Sequence, residues 1–134
     1  MEHHPPAQRS MTHDLSRGFS CKCPHCGEGK LFRKWLKVND ACSSCGEEFH
    51  HHRADDLPAY LVILLVGHMM VPLALEMERN FSPPLWVHVV TIIPLTIALS
   101  LLLLQPVKGA IVALQWRMGM HGFKLSREKR ESRA

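Results

Sequence analysis

Four cysteines stand in two close pairs, Cys23-Pro24-His25-Cys26 and Cys42-Ser43-Ser44-Cys45, with fifteen residues between the pairs. This is the spacing of a tetrahedral zinc site. Two residues between thiolates let one tight turn aim both sulfurs at one ion, and Gly27 and Gly46, one after each pair, suit a turn that needs positive φ. Such a turn also points backbone N–H groups at the sulfurs and spreads their charge. With Cys23, Cys26, Cys42 and Cys45 as ligands no coordination position stays open, so the ion is expected to be structural zinc rather than catalytic. Iron held by the same four thiolates fits the spacing as well. Neither pair is followed by histidine, which excludes c-type haem attachment. Cys21 is read as a spare thiol that could exchange with Cys23, and His25 as a solvent-facing residue of the first turn.

The elements that must carry these cysteines differ sharply in composition along the 134 residues. Residues 1–19 are polar and read as a disordered lead. Residues 20–53 read as a β zinc ribbon, too short to fold without its metal. Within it Leu31–Val38 is rich in β-formers and is expected to be a strand, with Glu47–His50 as its partner and Phe32, Trp35 or Leu36, and Phe49 covering the ion.

Residues 54–107 read as a helical membrane hairpin. Leu57–Leu75 is 19 residues without a formal charge and Leu85–Val107 is 23, each long enough for a hydrocarbon core of about 30 Å. The spans are set at about 57–76 and 85–107, joined by a short polar turn. The alternative, two buried helices of a soluble bundle, lacks enough chain to wrap them. Pro58 suits the first turn of span one, Asp55 or Asp56 its cap, and Trp86 the external border of span two; Pro72 and Pro94 are expected to kink the spans.

Lys and Arg number eight before the first span, one in the connecting turn and seven after the second. By the positive-inside rule both termini are cytoplasmic, which places the thiols in a reducing compartment. Topology and anionic lipid account for the net charge of +4 without nucleic acid. After Lys108, Val112, Trp116, Met120 and Phe123 share one helical face, so residues 108–123 read either as an interfacial helix resting on the leaflet or as a continuation of span two. Residues 124–134 read as a solvated, charged tail.

Ionisable groups within spans invite a functional reading. His68, Pro72 and Glu76 share one face of span one, and folding the hairpin about Ser82 brings Glu76 to the level of His88. His68 and His88 are separated by roughly 12 Å along the axes, which rules out one haem between them within a chain, though not a haem shared with a second subunit. His68 is expected to hydrogen-bond a neighbouring helix. His50, His51, His52, Asp55 and Asp56 could form a second metal site, against which stands the alternation of side chains along an extended segment.

Taken together, Cys23-Pro24-His25-Cys26-Gly27-Glu28-Gly29-Lys30-Leu31-Phe32, the second cysteine pair with Gly46, Arg53-Ala54-Asp55-Asp56-Leu57-Pro58-Ala59-Tyr60, Pro106-Val107-Lys108-Gly109-Ala110 and Gln115-Trp116 resemble the bacterial membrane family called domain of unknown function 983. The resemblance covers roughly residues 20–123. Ser43 stands where zinc ribbons often have proline. The family has no established activity, but its members are often encoded beside cytochrome c oxidase subunits and assembly factors. The resemblance therefore implies a non-enzymatic accessory or assembly factor for a membrane complex such as that oxidase, with membrane lipid and an oxidase subunit or assembly factor as partners. Two other readings are an enzyme or a metal- or haem-handling factor using the His/Asp cluster with His68 and Glu76, and a tethered nucleic-acid binder using Lys30, Arg33, Lys34 and Lys37 with Phe32 and Trp35 for stacking. Glu47 and Glu48 oppose the last, and neither nucleic acid nor a small-molecule substrate is expected as a partner.

Overall fold

A computed structural model describes residues 10–50 and 56–133. Among these residues four α-helices follow one another: α1 (Met11–Phe19), α2 (Leu57–Phe81), α3 (Leu85–Met118) and, after a 3-10 turn at Met120–Gly122, α4 (Phe123–Glu131). They belong to two compact units. One is Asp56–Leu104; the other combines the chain before it with Gln105 onward. The helix α3 thus contributes its first turns to one unit and its last turns to the other.

The Asp56–Leu104 unit is a hairpin of two helices. At about 1.5 Å per residue α2 is about 37 Å long. Pro58 lies in its first turn, where a missing N–H costs nothing. Asp56 occupies the N-cap position, but its side chain makes no capping bond; only its carbonyl is used, by the Tyr60 N–H at 3.1 Å. Ser82 takes a left-handed conformation, and Pro83-Pro84 prevent the helix from continuing before α3 starts. Val62, Val66 and Met70, four apart, form the buried stripe of α2. Most other large apolar side chains of the hairpin, such as Ile63, Leu64, Val71, Val90 and Leu102, are exposed. Both helices are long and apolar enough to cross a membrane, and such an exterior suits lipid as a solvent.

The cysteine unit does not show the expected β ribbon. Among the described residues there is no strand, only three isolated antiparallel bridges: Lys22 with Lys30, Phe32 with Val38, and Ala41 with Glu48. Two local features interrupt extended structure. Cys21 has φ 61°, which turns the chain before the first knuckle. The expected strand Leu31–Val38 doubles back instead, because the Arg33 N–H donates to Lys37 O at 2.8 Å and the Lys37 N–H to Lys34 O at 3.2 Å. Phe32 and Val38 therefore face each other at the base of a turn, and Trp35 sits exposed at its tip rather than covering the metal.

The core that this short segment lacks comes from the far end of the chain. Leu31, Phe32, Val38 and Phe49 pack in one cluster with Ile111, Val112, Trp116 and Phe123. The helical face read as resting on the leaflet is thus buried against the chain's own cysteine segment, and residues 108–118 continue α3 without a break. The polar ends are folded too. In the expected disordered lead, Met11–Phe19 is helical and Asp14 is fully buried; residues 1–9 of that lead lie outside the described residues. α1 meets α3 at Gly18 and Gly109, where a Cβ on either would collide with the other's backbone. The expected solvated tail is mostly α4, anchored by the buried ring of Phe123.

Candidate metal centre

Each cysteine pair closes a turn of the same design. Gly27 N–H donates to Cys23 O at 2.8 Å and Gly46 N–H to Cys42 O at 3.0 Å. Both glycines have positive φ, 75° and 72°, which a Cβ would strain. The turns bring the four Sγ atoms of Cys23, Cys26, Cys42 and Cys45 within 4.8 Å of one another. Across the pairs, Cys23 to Cys45 and Cys26 to Cys42 are each 3.7 Å apart, too far for disulfides. A tetrahedron with metal–sulfur bonds of about 2.3 Å has edges of about 3.8 Å, so the donor set fits a metal ion such as zinc.

The thiols are tuned unequally. Burial pushes Cys23 well above the ordinary thiol range, with the sulfurs of Cys45 and Cys42 adding to the rise against N–H groups of Cys26 and His25 that lower it. Burial also raises Cys45, to about 11, against the Glu47 N–H. At Cys26 burial again acts upward, but the Gly29 and Glu28 N–H groups outweigh it and bring the thiol down to about 7; the Gly29 N lies 3.5 Å from its sulfur. Cys26 is therefore the thiolate available first, and a bound cation must expel the protons of Cys23 and Cys45.

Several supporting residues carry no signal in the sequence. Gly29 is one: a Cβ there would overlap the Cys42 sulfur, so only glycine lets the second pair approach the first. The others are two arginines. Arg17 of α1 donates to Pro24 O and His25 O, at 3.5 and 3.3 Å, in the first turn. Arg130 of α4 donates to Gly46 O at 2.7 Å and to the buried Glu47 carboxylate at 2.9 Å, at the second. Each knuckle is gripped by a guanidinium from a helix, the first by Arg17 just before it in the chain and the second by Arg130, 84 positions away. Four thiolates around a divalent ion leave two net negative charges, which these cations oppose. His25 does not face solvent; its ring packs edge-on to Trp116, centroids 5.9 Å apart, while Arg127 covers the indole at 4.9 Å. The Cys21 sulfur lies outside the cluster and contacts Phe19 O at 3.9 Å.

The chain matches the family described as protein of unknown function (DUF983) over residues 32–116. It belongs to that family. The match spans the second cysteine pair, both long helices and Trp116, and begins after the first pair. No curated protein and no solved structure matches the chain.

Among the described residues, the remaining polar side chains of this DUF983 protein do not gather into a second metal-binding group. His88 meets Glu78 at 3.5 Å, not Glu76. The two facing residues are centred on position 83, because Pro83-Pro84 delay the start of α3 and shift the hairpin register from the expected pivot at Ser82. Glu76 instead accepts from Asn80 Nδ2 at 2.9 Å and lies 3.8 Å from Arg79. His68 Nδ1 contacts its own helix, at Leu64 O, 2.8 Å away. It lines an exposed apolar groove of about 480 Å³ with Ile63, Leu64, Gly67, Val71 and Pro72. His50 and Asp56 are exposed, and His51, His52 and Asp55 of the expected juxtamembrane cluster lie outside the described residues.

Proposed function

We propose that this DUF983 protein is a non-enzymatic accessory factor of a membrane complex, in which a structural zinc ion holds a cytoplasmic recognition module on a two-span anchor. The complete four-thiolate donor set carries this reading: its geometry suits a tetrahedral ion with no position for substrate or water. Zinc is preferred to iron because a closed thiolate site with structural work to do needs no redox change. The excess of Lys and Arg on both termini favours a multi-pass protein of the bacterial inner membrane with both ends cytoplasmic.

For the partner, a cytochrome c oxidase subunit or assembly factor is the leading choice, on the ground of the family resemblance alone. Crosslinking in native membranes, followed by detergent extraction and identification of the attached proteins, tests it. Oxidase components among the crosslinked products support the assignment. Recovery of the protein alone, or with a second labile metal per chain, refutes the adaptor reading.

A further inference from the structure

Arg33, Lys34, Trp35 and Lys37 crowd into five residues. They form the tip of the turn whose base is the Phe32–Val38 bridge. Phe32 and Val38 are buried at that base, whereas the three cations are exposed and Trp35 is 50% exposed. Folding gains nothing from an indole held in water. An indole among cations is, by contrast, the composition of a lipid–water interface, where the ring prefers the headgroup layer and the cations meet phosphates.

A second observation fixes where this tip lies. The Lys108 ammonium donates to Leu36 O at 2.8 Å. Lys108 is the first charged residue after the uncharged run Leu85–Val107, and the Phe32 ring lies against the neighbouring Gly109. The turn is therefore tied to the point on α3 where apolar surface gives way to charge. In a bilayer crossed by α3, that point is the headgroup level of the cytoplasmic leaflet.

We infer that Arg33–Lys37 is a lipid-binding finger: Arg33, Lys34 and Lys37 hold the phosphates of anionic lipids while Trp35 enters the interfacial layer. The inference rests on the membrane-spanning reading of α2 and α3. Each cation near an anionic leaflet is drawn to it about fivefold in an equilibrium constant, and spread over the lipids that ring the finger this attraction should enrich anionic lipid there several-fold.

The test uses full-length, metal-loaded protein in phosphatidylcholine vesicles with a minority of phosphatidylglycerol, one lipid or the other brominated near the top of its acyl chains. The Trp35 signal is the difference between wild type and Trp35→Phe. Brominated phosphatidylglycerol should quench it several-fold beyond that lipid's share of the bilayer, and the excess should vanish in the triple variant Arg33→Gln, Lys34→Gln, Lys37→Gln. Flotation with the vesicles reports the spans separately. If wild type and triple variant both float but Trp35 is quenched only by aqueous iodide, or equally by both lipids, the finger is refuted and the spans stand. If neither floats, both readings fall. A Trp35 emission change on adding single-stranded RNA, without a lipid response, overturns the inference in favour of nucleic acid.

Discussion

Replacing Arg117 by methionine exposes what keeps α1 in place. Asp14 is 1% exposed at its side chain, and its Oδ2 accepts from Arg117 at 2.5 Å; among the described residues its other oxygen has only the His13 ring, 3.9 Å away. Arg117 is itself 19% exposed at its side chain. Without the guanidinium a carboxylate is left shut away from water with no cation, and breaking a buried pair in this way costs about 3–5 kcal/mol. The unit does not have to bear the whole cost, because α1 has nine residues and can lift off to return Asp14 to water. Apart from the ion pair it is retained by the long hydrogen bonds of Arg17 and by the Gly18–Gly109 crossing. Those bonds are worth about 1 kcal/mol each at most. Undocking should therefore become easier by about 3 kcal/mol, or roughly two decades in an equilibrium constant. Hydrogen exchange on the metal-loaded protein should show residues 11–19 exchanging about a hundredfold faster, with Gly27 and Gly46 amides still protected. Asp14→Asn should cost only about 1 kcal/mol, since the arginine left behind is partly solvated. The double variant should recover much of the loss of Arg117→Met. Unchanged exchange in α1 of Arg117→Met, or a larger effect from Asp14→Asn, refutes the reasoning.

Other perturbations act on the metal centre directly. Cys42→Ser should unfold the cysteine unit while both helices of the hairpin remain inserted, read as protease sensitivity of residues 20–50 in protein that still floats with membranes. Gly29→Ala should lower metal affinity at least tenfold in a chelator competition, because the added methyl must displace the Cys42 sulfur. In the metal-free unit the thiols pull in opposite directions with pH. Cys26, lowered from 9.0 to about 7, contributes stability above pH 9 that is lost as pH falls through about 7. Cys45, raised from 9.0 to about 11, contributes stability below pH 9 that is lost as pH rises through about 11, and Cys23 acts in the same sense. Metal uptake near pH 8 should accordingly release the protons of Cys23 and Cys45 but little from Cys26; titration calorimetry in buffers of different ionisation enthalpy measures that release.

The features legible in the sequence are those whose cause is local. Cysteine spacing and the glycine after each pair dictate the knuckles, and uncharged runs of sufficient length dictate α2 and α3. What could not be read depends on distant partners. The periodicity of Val112, Trp116 and Phe123 shows that one helical face must be covered, but not whether lipid or Phe32 and Phe49 cover it. α1 looks disordered because it is short and belongs to a largely polar lead; it is ordered by an ion pair to a residue 103 positions away. Leu31–Val38 has the composition of a strand, yet among the described residues no partner strand lies alongside to hold it extended, and it turns back on itself. The Glu78–His88 contact was missed by two residues, the shift that two consecutive prolines impose on the hairpin.

Because Leu36 is met by Lys108 and Asp14 by Arg117, the thiol-bearing segment is completed only by chain made last. On the ribosome, Cys23 to Cys45 are made before either long helix, and they wait for Trp116 and Phe123 without an apolar floor beneath them. Any ion captured early rests on an unfinished nest. A nascent protein cut short after Leu104 would carry every ligand, α2 and the apolar first part of α3, yet its cysteines would lack the residues that bury them.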